Sequence, residues 1–287
     1  MKKELLSVTL AAVAIFGTQE ASGQSEEASR IRFGIRANGS VTYLSDTHSL
    51  ADYASINRPT RYEDMALPGV GGGLSLDITT GGYWGIETGA YYQMRGVEFD
   101  TDLRYGDWLR SNFTVFTTEL KLRLHYIQVP VLVRFRHGIG ARPIEWEAKL
   151  GGYAAYIAGG RFSVDTKKWQ AADCCAAPEW EDVTIEHHSY DAFDEEKMSE
   201  VWSKWLGYDI DYASRRVDGG VILGGGITFW RHLYVGVLLE QGIVGIVNTK
   251  NFLGDDDHKL RNQSLSLSVG YNFEQDGRPT ESSGGKS

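Results

Sequence analysis

The chain has 287 residues, enough for one large β domain, and its formal net charge of -9 argues against a nucleic-acid partner. Mean hydropathy is -0.30, and beyond the N-terminus there is no apolar run of the ~18 residues that a membrane helix needs, which excludes a helical membrane bundle. The 34 Gly, 6 Pro and 12% aromatic content suit a chain of long strands with small side chains on one face.

Met1 to Gly23 reads as a secretory signal: Lys2 and Lys3, an apolar core from Leu5 to Phe16, then Ala21-Ser22-Gly23 at the cleavage position. The first strand is expected over about Ile31 to Leu44, with Phe33, Ile35, Ala37 and Val41 on one face and Arg36, Asn38 and Ser40 on the other. A polar loop follows, from Ser45 to Ala66. Strand two, Leu67 to Thr79, sets Leu74, Leu76 and Ile78 against Gly73, Ser75 and Asp77. Thr80-Gly81-Gly82 is a tight turn, and strand three, Tyr83 to Val97, sets Trp84, Ile86 and Tyr92 against Glu87, Gln93 and Arg95.

A second long connection, Glu98 to Thr114, leads into strand four near Val115. Here Leu120, Leu122, Leu124 and Tyr126 alternate with Lys121, Arg123 and His125. Beyond Tyr126 the apolar set becomes Ile127, Val129, Val131, Val133 and Phe135, so a bulge is expected near Tyr126 or Ile127, with Pro130 costing one ladder bond. After a short turn, His137 to Pro143, strand five runs from Ile144 to Gly159. The longest connection, Gly160 to Arg215, contains helical spacing from Tyr190 to Leu206. Strand six, Asp218 to Phe229, a turn at Trp230-Arg231-His232 and strand seven, Leu233 to Gly245, lead to a polar loop, Asn248 to Asn262. In the last strand Leu265, Leu267, Val269, Tyr271 and Phe273 alternate with serines, Gly270 and Asn272. A polar tail, 274–287, ends the chain.

Charges on one face of long alternating strands fit a wet lumen and not a dry soluble core. The connections alternate long and short, with the short ones near Gly81, Gly140 and Arg231. The expectation is therefore an all-β, eight-stranded antiparallel transmembrane β-barrel with a long, partly helical extracellular loop. It would lie in the cell outer membrane in contact with its lipid. The barrel domain would span residues 24–273, including the insertion 161–215.

The chain resembles the PorT-type outer-membrane β-barrel proteins of Bacteroidetes. The resemblance is carried by Tyr126-Ile127-Gln128-Val129-Pro130, Gly151-Gly152-Tyr153-Ala154-Ala155-Tyr156, Asp218-Gly219-Gly220-Val221, Glu240-Gln241-Gly242 and Gly270-Tyr271-Asn272-Phe273. It implies barrel architecture and roles that include accessory parts of secretion and gliding machinery. The insertion 161–215 exceeds the loop usual in that family.

Arg36, Asp77, Glu87, Arg95, Lys121, Arg123, Glu145, Glu147, Lys149 and Glu240 are expected to pair inside the barrel. Glu186, His187, His188 and Asp191 lack metal-ligand spacing, Asp255 to Asp257 read as a charged loop tip, and Ser189, His188 and Asp191 are too close in sequence to define a catalytic site. No enzyme activity and no cofactor are expected. Cys174 and Cys175 are adjacent and form no disulfide framework. Trp169, Trp180, Phe193, Trp202 and Trp205 are many large aromatics for one loop; they can pack as a lid over the barrel mouth or contact a partner membrane or surface protein. The functional expectation is a structural or accessory subunit of an outer-membrane complex, with a small porin or solute-binding barrel as the alternative.

Overall fold

The computed structural model describes residues 30–45, 59–107, 112–139, 143–171, 184–206, 210–251 and 258–274. The expected signal segment, the polar tail beyond Glu274 (which ends the last strand), the adjacent cysteines and Asp255 to Asp257 lie outside them. The elements in chain order are β1 (Arg30–Ser45), β2 (Pro59–Gly81), β3 (Trp84–Asp107), β4 (Asn112–Gly138), β5 (Ile144–Ala171), β6 (Thr184–Asp191), α1 (Glu195–Leu206), β7 (Ile210–Ser214), β8 (Val217–Phe229), β9 (Leu233–Gly242), β10 (Val247–Asn251) and β11 (His258–Glu274).

Eight strands follow one antiparallel path, β1-β2-β3-β4-β5-β8-β9-β11, and β11 pairs in turn with β1, from Phe33 opposite Phe273 to Ser45 opposite Arg261. The remaining strands attach at one end. β6 pairs with β5 over residues 161–168, beyond the point where β8 leaves it, while β7 pairs with β10 and β10 with β11. The Gly160 to Arg215 connection is thus more ordered than expected: β5 runs on to Ala171, then come β6, α1 and β7. The polar segment before β11 likewise supplies β10.

The short turns lie at the opposite end. Gly82, at φ 63°, makes a two-residue turn between the paired Gly81 and Trp84. At the third turn Trp230 and Arg231 both take left-handed φ values, 50° and 66°, which side chains resist. Outside contacts hold this turn: Trp230 N–H donates to the Pro143 carbonyl at 2.7 Å and Asn272 N–H to the His232 carbonyl at 2.8 Å.

The exposed face carries an apolar belt. Leu74, Val131, Leu150, Leu223 and Leu267 are each more than half exposed. Aromatics border it. Trp84, Trp146, Tyr271 and Phe273 lie toward the short turns, and Tyr43, Tyr92 and Tyr156 at the other margin. Trp146 and Tyr156 are ten residues apart on β5. At ~3.3 Å per residue and a tilt near 40° that spans ~25 Å, the height of an apolar membrane band.

Strand β4 corrects one expectation. Even-numbered residues stay buried from Thr118, Leu120, Leu122 and Leu124 to Gln128, Leu132 and Arg134. The strand does not change phase; the surroundings change polarity. Below Tyr126 the interior is polar and the outside apolar, while above it the interior is dry and the outside charged. Lys121 and Arg123 therefore face outward and do not join the lumen. The irregularity lies on the partner strand: His125 pairs with Gly159 and Tyr126 with Ile157, leaving Ala158 as the extra residue in β5. A second register shift, between Ala66 and Gly71 of β2, separates the two regions there. Buried Thr42 stitches it, its hydroxyl accepting from Gly96 N–H at 2.9 Å and lying 2.8 Å from the Gly96 carbonyl.

Candidate functional site

The interior holds two layers. In the layer nearer the short turns, ion pairs form a continuous chain. Arg32 meets Glu145 at 3.5 Å, and Glu145 meets Arg136 at 3.4 Å. Arg136 reaches Glu147 at 2.9 Å and Asp77 at 3.8 Å, while Asp77 also holds Arg134 at 2.7 Å. Lys149 joins Glu147 at 2.8 Å and Glu87 at 2.6 Å. The Tyr234 ring lies beneath two cations, Lys149 Nζ at 4.2 Å and the Arg36 guanidinium at 4.6 Å from its centroid. A Cβ at Gly226 or Gly236 would collide with that ring, so these two glycines make room for it.

Nearer the mouth, Arg95 is the hub. It pairs with Glu240 and bonds Gln93 and Gln128, with Tyr126 and Tyr153 rings at 5.0 and 5.4 Å. Tyr153 donates to Asp218 at 3.3 Å. Among the described residues, six cations (Arg32, Arg36, Arg95, Arg134, Arg136, Lys149) and six anions (Asp77, Glu87, Glu145, Glu147, Asp218, Glu240) therefore occupy the interior layers, and their formal charges cancel. Buried charges require such pairing. The sequence reading missed Arg32, Arg134, Arg136 and Asp218. The first three follow from the same alternation that places Arg36 and Gln128; Asp218, beside two glycines, gives no such signal.

Beyond Tyr126 the contents change. Val97 and Phe99 of β3, Leu120, Leu122 and Leu124 of β4, Phe162 and Val164 of β5, Met198 of α1, Tyr212 of β7, Val247 of β10 and Leu260 of β11 form one buried apolar cluster with Ala192 and Ile246. This is a module at the end opposite the short turns, with an ordinary dry core. Asp194 caps α1, its Oδ1 accepting from Lys197 N–H at 3.2 Å, with Glu195 and Glu196 in the favourable first turn. Ser199 Oγ accepts from Tyr212 N–H at 3.0 Å and Glu195 Oε1 from Ser214 N–H at 3.1 Å, which fixes the helix to β7. The Tyr212 hydroxyl donates to the Ala192 carbonyl at 3.0 Å, and burial pushes its pKa upward.

Of the five expected aromatics, Phe193 is half-buried against this core, with the Arg216 guanidinium 4.1 Å above its ring. Trp169 stands opposite Val115 near the far end of β5, Trp202 and Trp205 lie in α1, and Trp180 falls outside the described residues. His187 pairs with Asp165, His188 lies 3.8 Å from Glu186, and Asp191 accepts from Phe193 N–H at 3.0 Å. His188, Ser189 and Asp191 thus have separate surroundings and form no relay. Glu98, Asp100 and Glu119 do come together on the outer surface, a grouping the sequence reading missed, but the Lys121 ammonium already sits among them, 3.5 Å from Glu98 and against Glu119.

An apolar belt between aromatic margins, around a charge-filled interior, defines a β-barrel protein of the outer membrane. The chain belongs to the family described as outer membrane protein beta-barrel domain, whose family model matches residues 19–248. Among solved structures it is similar to OprG of Pseudomonas aeruginosa, at 12% identity and a TM-score of 0.38, over 86% of this chain and 98% of that one. Neisserial surface protein A matches at 12% identity and 0.34, over 86% and 100%. Ail, the attachment invasion locus protein of Yersinia pestis, matches at 10% and 0.30, over 85% and 99%. No curated protein matches the chain in sequence. The protein resides in the outer membrane.

Proposed function

We propose that this protein is a closed eight-stranded transmembrane barrel that neither conducts nor catalyses, and that it serves as a structural or accessory subunit of an outer-membrane complex. One observation carries the reading: paired charges at one level and apolar side chains at the mouth occupy the interior and leave only a small cavity among Arg36, Glu87, Lys149 and Glu240. What such a barrel offers other molecules is its external module. The partner is a membrane or surface protein, and Trp169, Trp180, Trp202 and Trp205 supply the aromatic contact, with Phe193 supporting them from the core. The resemblance to PorT-type barrels of Bacteroidetes points to secretion or surface assembly as the setting. An opening for a small solute would require the Arg95–Glu240 and Lys149–Glu147 pairs to separate.

The test is extraction of the full chain in mild detergent, followed by identification of co-purifying proteins and by planar-bilayer recording. We expect a specific partner that is lost when Trp169, Trp202 and Trp205 are replaced by Ser, with the folded barrel's gel mobility retained, and no stable currents. Stable single-channel currents without any co-purifying protein overturn the proposal in favour of a small porin.

A further inference from the structure

Two strands of the module have edges of unlike character. β7 pairs with β10 on one side, and α1 closes its other side: Tyr212 N–H donates to Ser199 Oγ and Ser214 N–H to Glu195 Oε1. β6 pairs with β5 on one side only. Ala192 N–H donates to the Gly160 carbonyl at 3.2 Å, which sets the phase of that ladder. Tyr190, His188 and Glu186 therefore direct their peptide groups to β5, while Ser189, His187 and Ile185 direct theirs to the free edge. Among the described residues nothing bonds those outward peptide groups, and the strand is exposed from Ile185 to Ser189. Natural edges are guarded by Lys or Pro, and 184–191 contains neither. Beside the edge, the His188 ring stacks on Tyr190 with centroids 6.3 Å apart, and the Glu186 carboxylate, 65% exposed, lies 3.8 Å from His188 Nε2.

We propose that the free edge of β6 takes up an extended segment of a partner protein as an added antiparallel strand. The outward peptide groups supply the affinity, and the side chains that alternate along the strand select the partner. The segment that fits carries Lys or Arg opposite Glu186 and β-branched or aromatic residues opposite His188 and Tyr190, because opposite charges and aromatic pairs favour such cross-strand neighbours. A second copy of this chain is a poorer occupant: its net charge is -9, and β6 carries Glu186 and Asp191 without any Lys or Arg. The inference rests on the partner role proposed above and adds how that partner is held.

The probe is a blocked synthetic peptide, Thr-Val-Thr-Tyr-Thr-Lys-Val-Thr, added to the full-length protein in mild detergent. Laid antiparallel on β6, it sets its first Val opposite Tyr190, its Tyr opposite His188 and its Lys opposite Glu186. We expect saturable binding by fluorescence anisotropy, with hydrogen exchange of the Ile185, His187 and Ser189 amides slowed at least tenfold. Methylating the peptide nitrogens that face β6 weakens binding at least tenfold; methylating the alternate nitrogens leaves it unchanged. Glu186→Lys weakens binding at least threefold. Ser189→Pro removes an outward N–H and no bond to β5, so the folded barrel's gel mobility is retained while binding falls at least tenfold. No saturable binding, or equal binding of the two methylated peptides, overturns the proposal, and this comparison uses the wild-type protein alone. Undiminished binding by a folded Ser189→Pro protein overturns it too. A dimer of the free protein that Ser189→Pro abolishes assigns the edge to a second copy and also overturns it. A co-purifying protein that is lost with the Trp replacements but kept by Ser189→Pro sinks strand addition and leaves the partner role standing. Peptide binding without any co-purifying protein sinks the partner role and leaves the edge able to take a strand.

Discussion

Arg95 shows what a single interior charge contributes. It is buried, and its carboxylate partner is Glu240, from a strand distant in sequence. Replacing Glu240 with Leu leaves a cation without its counter-charge, so we expect a loss of ~3–5 kcal/mol in detergent-based denaturant unfolding. The double variant Arg95→Leu/Glu240→Leu should lose much less, because no buried charge remains unpaired. At the third turn the sign reverses: Arg231→Gly relieves a left-handed backbone and should raise stability by up to ~1 kcal/mol in the same assay. The interior positions of Arg36, Asp77, Glu87, Arg95, Glu147, Lys149 and Glu240 were legible because a strand's pleat sends every second residue one way. Their pairings were not, since those depend on register between strands far apart in the chain.

At the scale of the element, β4 separates two properties that sequence patterns join. Alternation identifies two faces but not the medium each one meets. The change from Leu120–Leu122–Leu124 to Ile127–Val129–Val131 suggests a break in the strand; the pleat instead continues through a boundary between water and lipid. Val131→Arg places a charge against lipid and should cost ~2–4 kcal/mol near the midplane. Arg123→Val, on the same face but above the boundary, should change stability by no more than ~0.5 kcal/mol. Comparing the two unfolding midpoints checks the boundary. The α1–β7 contact offers a pH test. Burial raises the Tyr212 pKa in the folded state, so its stabilisation is complete below the unfolded phenol value of ~10 and fades as pH rises through the folded value. Ultraviolet titration of Tyr212→Phe should show one late-ionising tyrosine fewer than the wild type. The helix was legible from its spacing and acidic first turn; β6, β7 and β10 were not, because these short strands are ordered by partners remote in the chain.

For the whole molecule, the module and the barrel share their strands. The apolar cluster gathers Val97 and Phe99 from β3, Phe162 from β5, Met198 from α1 and Leu260 from β11, the strand that pairs with β1. The last strand cannot be left out without opening that core, because Leu260 belongs to it. This ties the module to completion of the sheet: its core closes only once β11 has supplied Leu260. A chain stalled before that step would leave a greasy, cleavable head uncovered. In a refolding time course, resistance of the module to added protease should appear together with the compact gel mobility of the finished barrel. Protease resistance that precedes the mobility change would show that the head forms independently. If the two appear together, the arrival of β11, which also closes on β1, is the checkpoint at which the module becomes resistant to protease.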